Sequence, residues 1–270
     1  MCYDFKAQVI TQLKRAIHHR DQEAVRILTE RLHKLGVKDL HHTSGFDHPA
    51  VLIYTKEHPN DPVLARWGFV PENTKDRDKQ QQIWNKTLNA RGEDVFDTWS
   101  YKYSAKSKRC LICIDGFFEH YHYKGKTYPY YIYRADGEPM TLAGLWSDWE
   151  DKETGEKLTT FSIVTSKGND LLAKIHNNPK LEDGPRMPLV LPENAIDEWL
   201  SLEVQSENDK QRILQLVKPY DENELKAHTV NRIRGKNAVG NIPAADKKLD
   251  YPELDDPLGG KKNSDQGTLF

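Results

Sequence analysis

Apolar residues recur along this chain with two different periods, and the change of period divides it. From about Lys6 to Leu35 they return every three or four positions. Val9, Ile10, Leu13 and Ile17 share one face, and Ala24, Val25, Leu28, Leu32 and Leu35 share another. That spacing predicts helix, since residues three and four apart lie one above the other on a helical surface. Asp21 is placed to cap a second helix and Gly36 to end it. Runs of β-branched and aromatic residues then take over. They predict strands at Val51–Thr55, Leu64–Val70, Arg109–Ile114, Tyr128–Arg134, Met140–Trp146, Leu158–Thr165 and Met187–Leu191. Shorter helices are expected from near Asn169, over Glu193–Leu202 and from about Asn208 to Val217. Long antiparallel-looking strand runs with few crossover helices imply an α+β fold rather than a doubly wound one.

From about Gly235 the apolar positions thin out, and residues 237–265 are rich in Gly, Pro, Asn, Asp and Lys. Such a segment has little to bury, so a mobile tail is expected. The organisation read from the sequence is one domain over residues 1–235, with an added helical element over about 5–36, and a tail over 236–270.

Composition narrows the class. No apolar run approaches the ~20 residues that span a bilayer, and nothing at the start reads as a signal peptide, so a cytoplasmic protein is expected. Three cysteines in 270 residues argue against a disulfide scaffold and for a reducing compartment. A net charge of −2 gives no global basic signature, so any nucleic-acid contact must come from a local patch. Cys110 and Cys113 form a CxxC inside a β-prone run. Residues three apart in a strand point to opposite faces, which favours core cysteines over a metal site. No second CxxC completes four ligands, and neither metal nor cofactor is expected. The pairs His18–His19 and His41–His42 are read as solvated.

The candidate chemistry starts at Cys2. Methionine before a small residue is normally removed, which would leave an amine and a thiol on one carbon skeleton. Their ordinary pKa values of about 7.7–8.0 and about 8.5 leave both partly deprotonated near neutrality. An aldehyde can form an imine with such an amine, and the thiolate can then close a five-membered thiazolidine. Position alone gives Cys2 no more than this potential.

Three further blocks stand in order behind it. The first is Ala65-Arg-Trp-Gly-Phe-Val-Pro71. The second runs Asn89-Ala-Arg-Gly-Glu93 and then Arg109-Cys-Leu to Gly116-Phe-Phe-Glu119. The third is Ala143-Gly-Leu-Trp146 with Thr159-Thr160-Phe161, Ile175-His176 and Arg186-Met-Pro-Leu-Val190. Together with Cys2 they closely resemble the SRAP family, the SOS-response-associated peptidases or abasic-site processing proteins. The resemblance covers roughly residues 1–4 and 50–235. It implies a fold of mostly antiparallel strands in a curved sheet or open barrel with peripheral helices. It also implies a monomer that binds single-stranded DNA and traps the aldehyde of an abasic site on the mature N-terminal Cys2. Met1 would leave by autocatalysis or through an ordinary aminopeptidase.

The resemblance assigns roles residue by residue. Glu119 matches the catalytic acid/base, Asn89 the residue that fixes the N-terminus and sugar, and His176 the proton carrier of ring opening and reversal. Arg91 and Arg186 match phosphate-binding arginines. Trp67 and Phe69 are read either as a stacking surface for bases or as core packing. The run Lys102, Lys106, Lys108 and Arg109 is consistent with a backbone groove or with a solvated face.

This chain also departs from the family pattern. It begins Met-Cys-Tyr-Asp where members commonly have Met-Cys-Gly-Arg, so Asp4 is expected to repel phosphate. His120 stands where Trp is common, and nine residues separate His176 from Arg186 where about one is usual. The terminal Gln266-Gly-Thr-Leu269-Phe270 resembles the short peptide that binds a replicative sliding clamp, or is a chance ending. Two other function classes stay open: an N-terminal-nucleophile or thiol peptidase using Cys2 with His176, and a non-covalent single-stranded DNA-binding module.

Overall fold

The computed structural model describes residues 2–18, 22–180, 183–254 and 258. The chain opens with β1 (Asp4–Ala7), then α1 (Val9–His18), α2 (Gln22–Leu35), β2 (Leu40–Ser44), β3 (Ala50–Thr55) and β4 (Val63–Trp67). Next come α3 (Arg77–Trp84), β5 (Asn89–Arg91), α4 (Ser104–Ser107), β6 (Arg109–Ile114), β7 (Gly116–Tyr123) and β8 (Lys126–Arg134). The long strands β9 (Met140–Glu150) and β10 (Lys157–Lys167) follow, with α5 (Asp170–Ile175), β11 (Arg186–Pro188), α6 (Glu193–Ser201), α7 (Glu207–Gln215) and β12 (Leu225–Thr229). The expected α+β class, with mostly antiparallel strands and peripheral helices, is what forms.

Five strands close on themselves into a barrel. Strand β10 pairs with β9 along one edge and with β4 along the other, and β4–β3–β6–β9 complete the ring. Closure removes the free edges that would otherwise invite pairing with another chain. Strand β6, buried at every residue, reads as an unbroken apolar run because both of its faces are covered. Cys110 joins one core cluster and Cys113 the other, so the CxxC points to opposite faces. The short strands β5 and β11 extend β10 beyond the ring.

A second sheet of order β12-β8-β7-β1-β2 shares the first core with the barrel. Its strand β1 replaces the start of the predicted helix. Four residues are too few to show a period, and β1 is held by neighbours distant in sequence, Phe117 beside Phe5 and Thr43 beside Phe5. Helices α1 and α2 lay Val9, Leu13, Leu28 and Leu32 over Leu52 and Leu64 of the barrel. Gly36 ends α2 at φ 61°, as its position predicts. Asp21 lies outside the described residues.

Strand β4 stops three residues before the predicted end. Gly68 adopts φ 120°, and a Cβ there would lie 2.3 Å from the Trp84 ring, so the Trp67–Gly68 pair is a chain reversal that only glycine allows. Residues 238–251, expected in the tail, are held along the second sheet. The Leu249 N–H donates to the Thr229 carbonyl at 2.8 Å, Asp246 meets Lys6 Nζ at 2.8 Å, and Ala245 is fully buried. Backbone and ionic contacts hold this stretch, so its apolar content did not announce it. Gln266, Leu269 and Phe270 lie outside the described residues.

Candidate active site

Residues far apart in sequence meet where the second sheet faces the barrel. Cys2 precedes β1 and is buried at 1% exposure among Phe5, Trp67, Leu88 and Ile163. The Asn89 side chain, brought by β5, donates Nδ2–H to the Cys2 carbonyl at 2.8 Å. Its own backbone carbonyl accepts the Tyr101 hydroxyl at 3.1 Å, which fixes the strand. The Asn89 Oδ1 atom is buried and has no hydrogen-bond partner. A buried acceptor left open costs about 1–3 kcal/mol, so one beside Cys2 is suited to a donor from outside.

Glu119 lies on β7, where the sheet passes from fully covered to half-covered positions. Its Oε1 accepts the His120 N–H at 2.9 Å, and its Oε2 is 3.6 Å from His176 Nδ1. His176 caps the C-terminus of α5, whose start is fixed by the Asn169 side chain accepting the Leu172 N–H. Its Nδ1 sits 3.1 Å from the Arg186 carbonyl and 3.4 Å from the Arg186 amide nitrogen. The closer carbonyl favours the Nδ1–H tautomer, which leaves Nε2 with a lone pair.

Charge follows from this packing. Burial pushes the Cys2 thiol well above its ordinary range, and the Glu119 carboxylate adds to that rise. Burial lowers His176 below the usual histidine value, with Glu119 opposing. Near neutrality the thiol is therefore protonated and the imidazole neutral. The Cys2 Sγ points to the Asp4 carbonyl at 3.8 Å rather than to His176.

The structure does not gather every predicted residue. Trp67 and Phe69 lie inside the core, with Trp67 stacked on Phe5 at 4.8 Å and its Nε1–H given to the Leu88 carbonyl at 2.8 Å. Neither ring presents a face to a base. Arg186 is also buried, engaged by Thr165 Oγ1 at 3.2 Å and Glu93 at 2.7 Å. Its backbone holds His176, while its guanidinium is spent within the protein. Arg91 is half-exposed and ion-paired with Asp183 of the nine-residue insertion. Arg109 is inside too, donating to the carbonyls of Trp199, Ala105, Lys106 and Leu202. It ties helices to the barrel and has no place in a surface groove.

Other residues at the site escaped the sequence. Asp4 is buried, with His42 Nε2 at 3.0 Å and Arg234 bound to its other oxygen, so its charge is answered from within. His42, read as solvated, is a partner of Asp4. Phe46 is exposed beside Tyr3, ring centroids 5.0 Å apart, and the Arg234 guanidinium lies over both rings. No local pattern signals these contacts, since Arg234 stands 230 residues from Asp4.

A family model described as SOS response associated peptidase (SRAP) matches residues 14–237. The chain belongs to the SRAP family. The SRAP chain is 32% identical over 169 residues to the abasic site processing protein YoqW of Bacillus subtilis, covering 62% of this chain and 68% of that protein. It is 28% identical over 235 residues to the abasic site processing protein HMCES of Gallus gallus, covering 77% of this chain and 66% of that one. A crystal structure of a Bacteroides thetaiotaomicron protein superposes with TM-score 0.75 at 26% identity, covering 92% of this chain and 100% of that one. Among the described residues of this SRAP protein no helix is long and apolar enough to cross a membrane.

Proposed function

We propose that this protein captures the ring-opened aldehyde of an abasic site in single-stranded DNA on the N-terminal Cys2, once Met1 has been removed. The reading is supported by the name shared by its relatives and by the arrangement of Asn89, Glu119 and His176 around Cys2. The observation that carries it is the Asn89 carboxamide. One end holds the Cys2 carbonyl, and the other is an open buried acceptor turned into the same site. Such a group can position the amine or a sugar hydroxyl without adding charge.

The chemistry balances within this set. The Cys2 amine adds to the aldehyde carbon to give a carbinolamine. Glu119 takes a proton from the nitrogen and returns one to the departing hydroxyl, so one water leaves and an imine forms. The Cys2 sulfur then adds to the imine carbon. The thiol proton passes by way of neutral His176 to the nitrogen, and the thiazolidine closes. A protonated thiol held toward the Asp4 carbonyl keeps the sulfur unreactive until the imine carbon is beside it.

A peptidase acting on other proteins fits less well. Such an enzyme needs a thiolate paired with its base, whereas here the thiol is buried and directed to the Asp4 carbonyl. The test is a denaturing gel of the purified protein with abasic single-stranded DNA. A slow covalent band is expected from wild type and none from Cys2→Ala; a band that persists in Cys2→Ala places the linkage elsewhere and ends the reading.

A further inference from the structure

One residue past Glu119 the surface opens into a second, polar cavity of about 280 Å³. The turn between β7 and β8 forms one wall, with His120, Lys126 and Thr127, and the segment carrying Arg232 and Arg234 forms the other. Lys124 and Gly125 turn the hairpin with φ of 47° and 74°, and Lys126, which follows them, lines the cavity. Three side chains with fixed positive charge line this space and no carboxylate does. In a chain with 41 acidic residues against 39 Lys and Arg, that is a local reversal of the average surface.

The pairing around the cavity sharpens the point. Arg234 reaches inward to buried Asp4 and lies over Tyr3 and Phe46, so it is fixed in place against the start of the chain. Lys126 and Arg232 are exposed and have no acidic partner among the described residues. Like charges gathered without a counter-charge repel one another, and an anion placed between them relieves that repulsion. Guanidinium groups suit phosphate in particular, since two N–H donors match two phosphate oxygens. The volume exceeds that of one small anion, and the cavity is joined to the start of the chain by Arg234, which lines it, binds Asp4 and lies over Tyr3, the residue after Cys2.

We propose that this cavity is the subsite for backbone phosphates of the DNA strand on one side of the abasic site, with Lys126 and Arg232 as its contacts and Arg234 as the fixed corner. The proposal rests on the single-stranded DNA reading above and adds where the strand leaves the site. It also accounts for the beginning of the chain. Asp4, expected to repel phosphate, has its charge met by His42 and Arg234.

The experiment measures binding of an intact, lesion-free single strand, so that it does not depend on the covalent step. Lys126→Ala/Arg232→Ala should bind more weakly, with the slope of log K against log salt reduced by about 1.4, two contacts at ~0.7 each. Both side chains are exposed, so the melting temperature should match wild type. On an abasic strand, with Cys2→Ala in both proteins so that no covalent bond forms, methylphosphonate linkages on one side of the lesion should weaken binding where Lys126 and Arg232 are present and change nothing in the double variant.

An unchanged affinity and salt slope would overturn the proposal. So would a variant that is weakened equally by neutral linkages on both sides. Inorganic phosphate that binds wild type but not the variant and leaves the strand in place, at constant ionic strength, would make this a free-anion site. Absence of covalent product from wild type would sink the capture chemistry and still leave the binding comparison readable.

Discussion

Cys110 and Cys2 are equally buried, one in a barrel strand and the other at the head of the second sheet. Burial raises both thiols. What differs is their company. Cys110 lies between neighbouring strands with Gly144 opposite it and apolar side chains around it. Cys2 has the Asn89 amide on its carbonyl, a carboxylate near enough to raise its thiol further, and a neutral imidazole beyond that. Burial therefore does not separate a structural cysteine from the one proposed to react. Polar groups that the fold leaves open or close together do.

The sharpest way to break this contrast is to exchange the fates of the two residues. Cys2→Ala should abolish the covalent DNA product, at a stability cost similar to that of Cys110→Ala because both thiols are buried in the same core. Cys110→Ala should lower stability by about 1–3 kcal/mol and leave the product intact. A denaturing gel and a thermal melt read both, and loss of product in Cys110→Ala alone would reverse the assignment. Next in size is Glu119→Gln, which should slow product formation by roughly 10²–10⁴-fold, the range for a positioned acid or base. Binding of a lesion-free strand should be unaltered, and a matching loss of binding would make Glu119 a structural residue.

The barrel side can be tested by its own charge. Arg109 gives its donors to four carbonyls in the interior. Arg109→Met leaves those acceptors unpaired and should cost at least about 3 kcal/mol by denaturant unfolding. Product formation below the melting temperature should be normal. A stable Arg109→Met protein with poor DNA binding would restore this arginine to the backbone groove.

A smaller effect concerns pH. His176 is lowered by burial and raised by Glu119, and its neutral form is the working one. The acid limb of the rate should therefore fall below the ordinary histidine value of about 6.5. Replacing Glu119 by Gln removes the raising charge, so the His176 titration followed by NMR should move lower still. A shift upward would show that the two side chains do not interact as their separation suggests.

The sequence made the barrel legible for a physical reason. Its strands are covered on both faces and so appear as long β-branched runs, β6 above all. The second sheet was half-hidden. Strands β1 and β2 are short and polar, and their pairing depends on β7, more than seventy residues away in the chain. The site was legible in part through its resemblance to a family, which led to Cys2, Asn89, Glu119 and His176. The arginines were not. A guanidinium buried against carbonyls, as in Arg109, and one facing solvent, as in Arg232, are the same letter. Only the residues folded around them distinguish a buried donor from a guanidinium left open to a ligand. Asp4 shows the same effect in reverse, since its two partners come from positions 42 and 234.

The least of the expected effects tests the inserted segment before Arg186. Asp183 holds Arg91 in an exposed ion pair, and a strand phosphate at Arg91 would have to displace or share it. Exposed pairs of this kind are worth about 0.2–1 kcal/mol, a factor of roughly 1.4–5 in a binding constant. Asp183→Asn should therefore tighten binding of a lesion-free strand by no more than that factor. Arg91→Ala should weaken it and reduce the salt slope by about 0.7. The informative measurement is the double variant, because relief of competition requires the arginine to be present. In the Arg91→Ala background, Asp183→Asn should change nothing beyond the loss of one distant negative charge. If it tightens binding there as strongly as in wild type, Asp183 acts through the general field of the surface, and Arg91 is not the group it restrains.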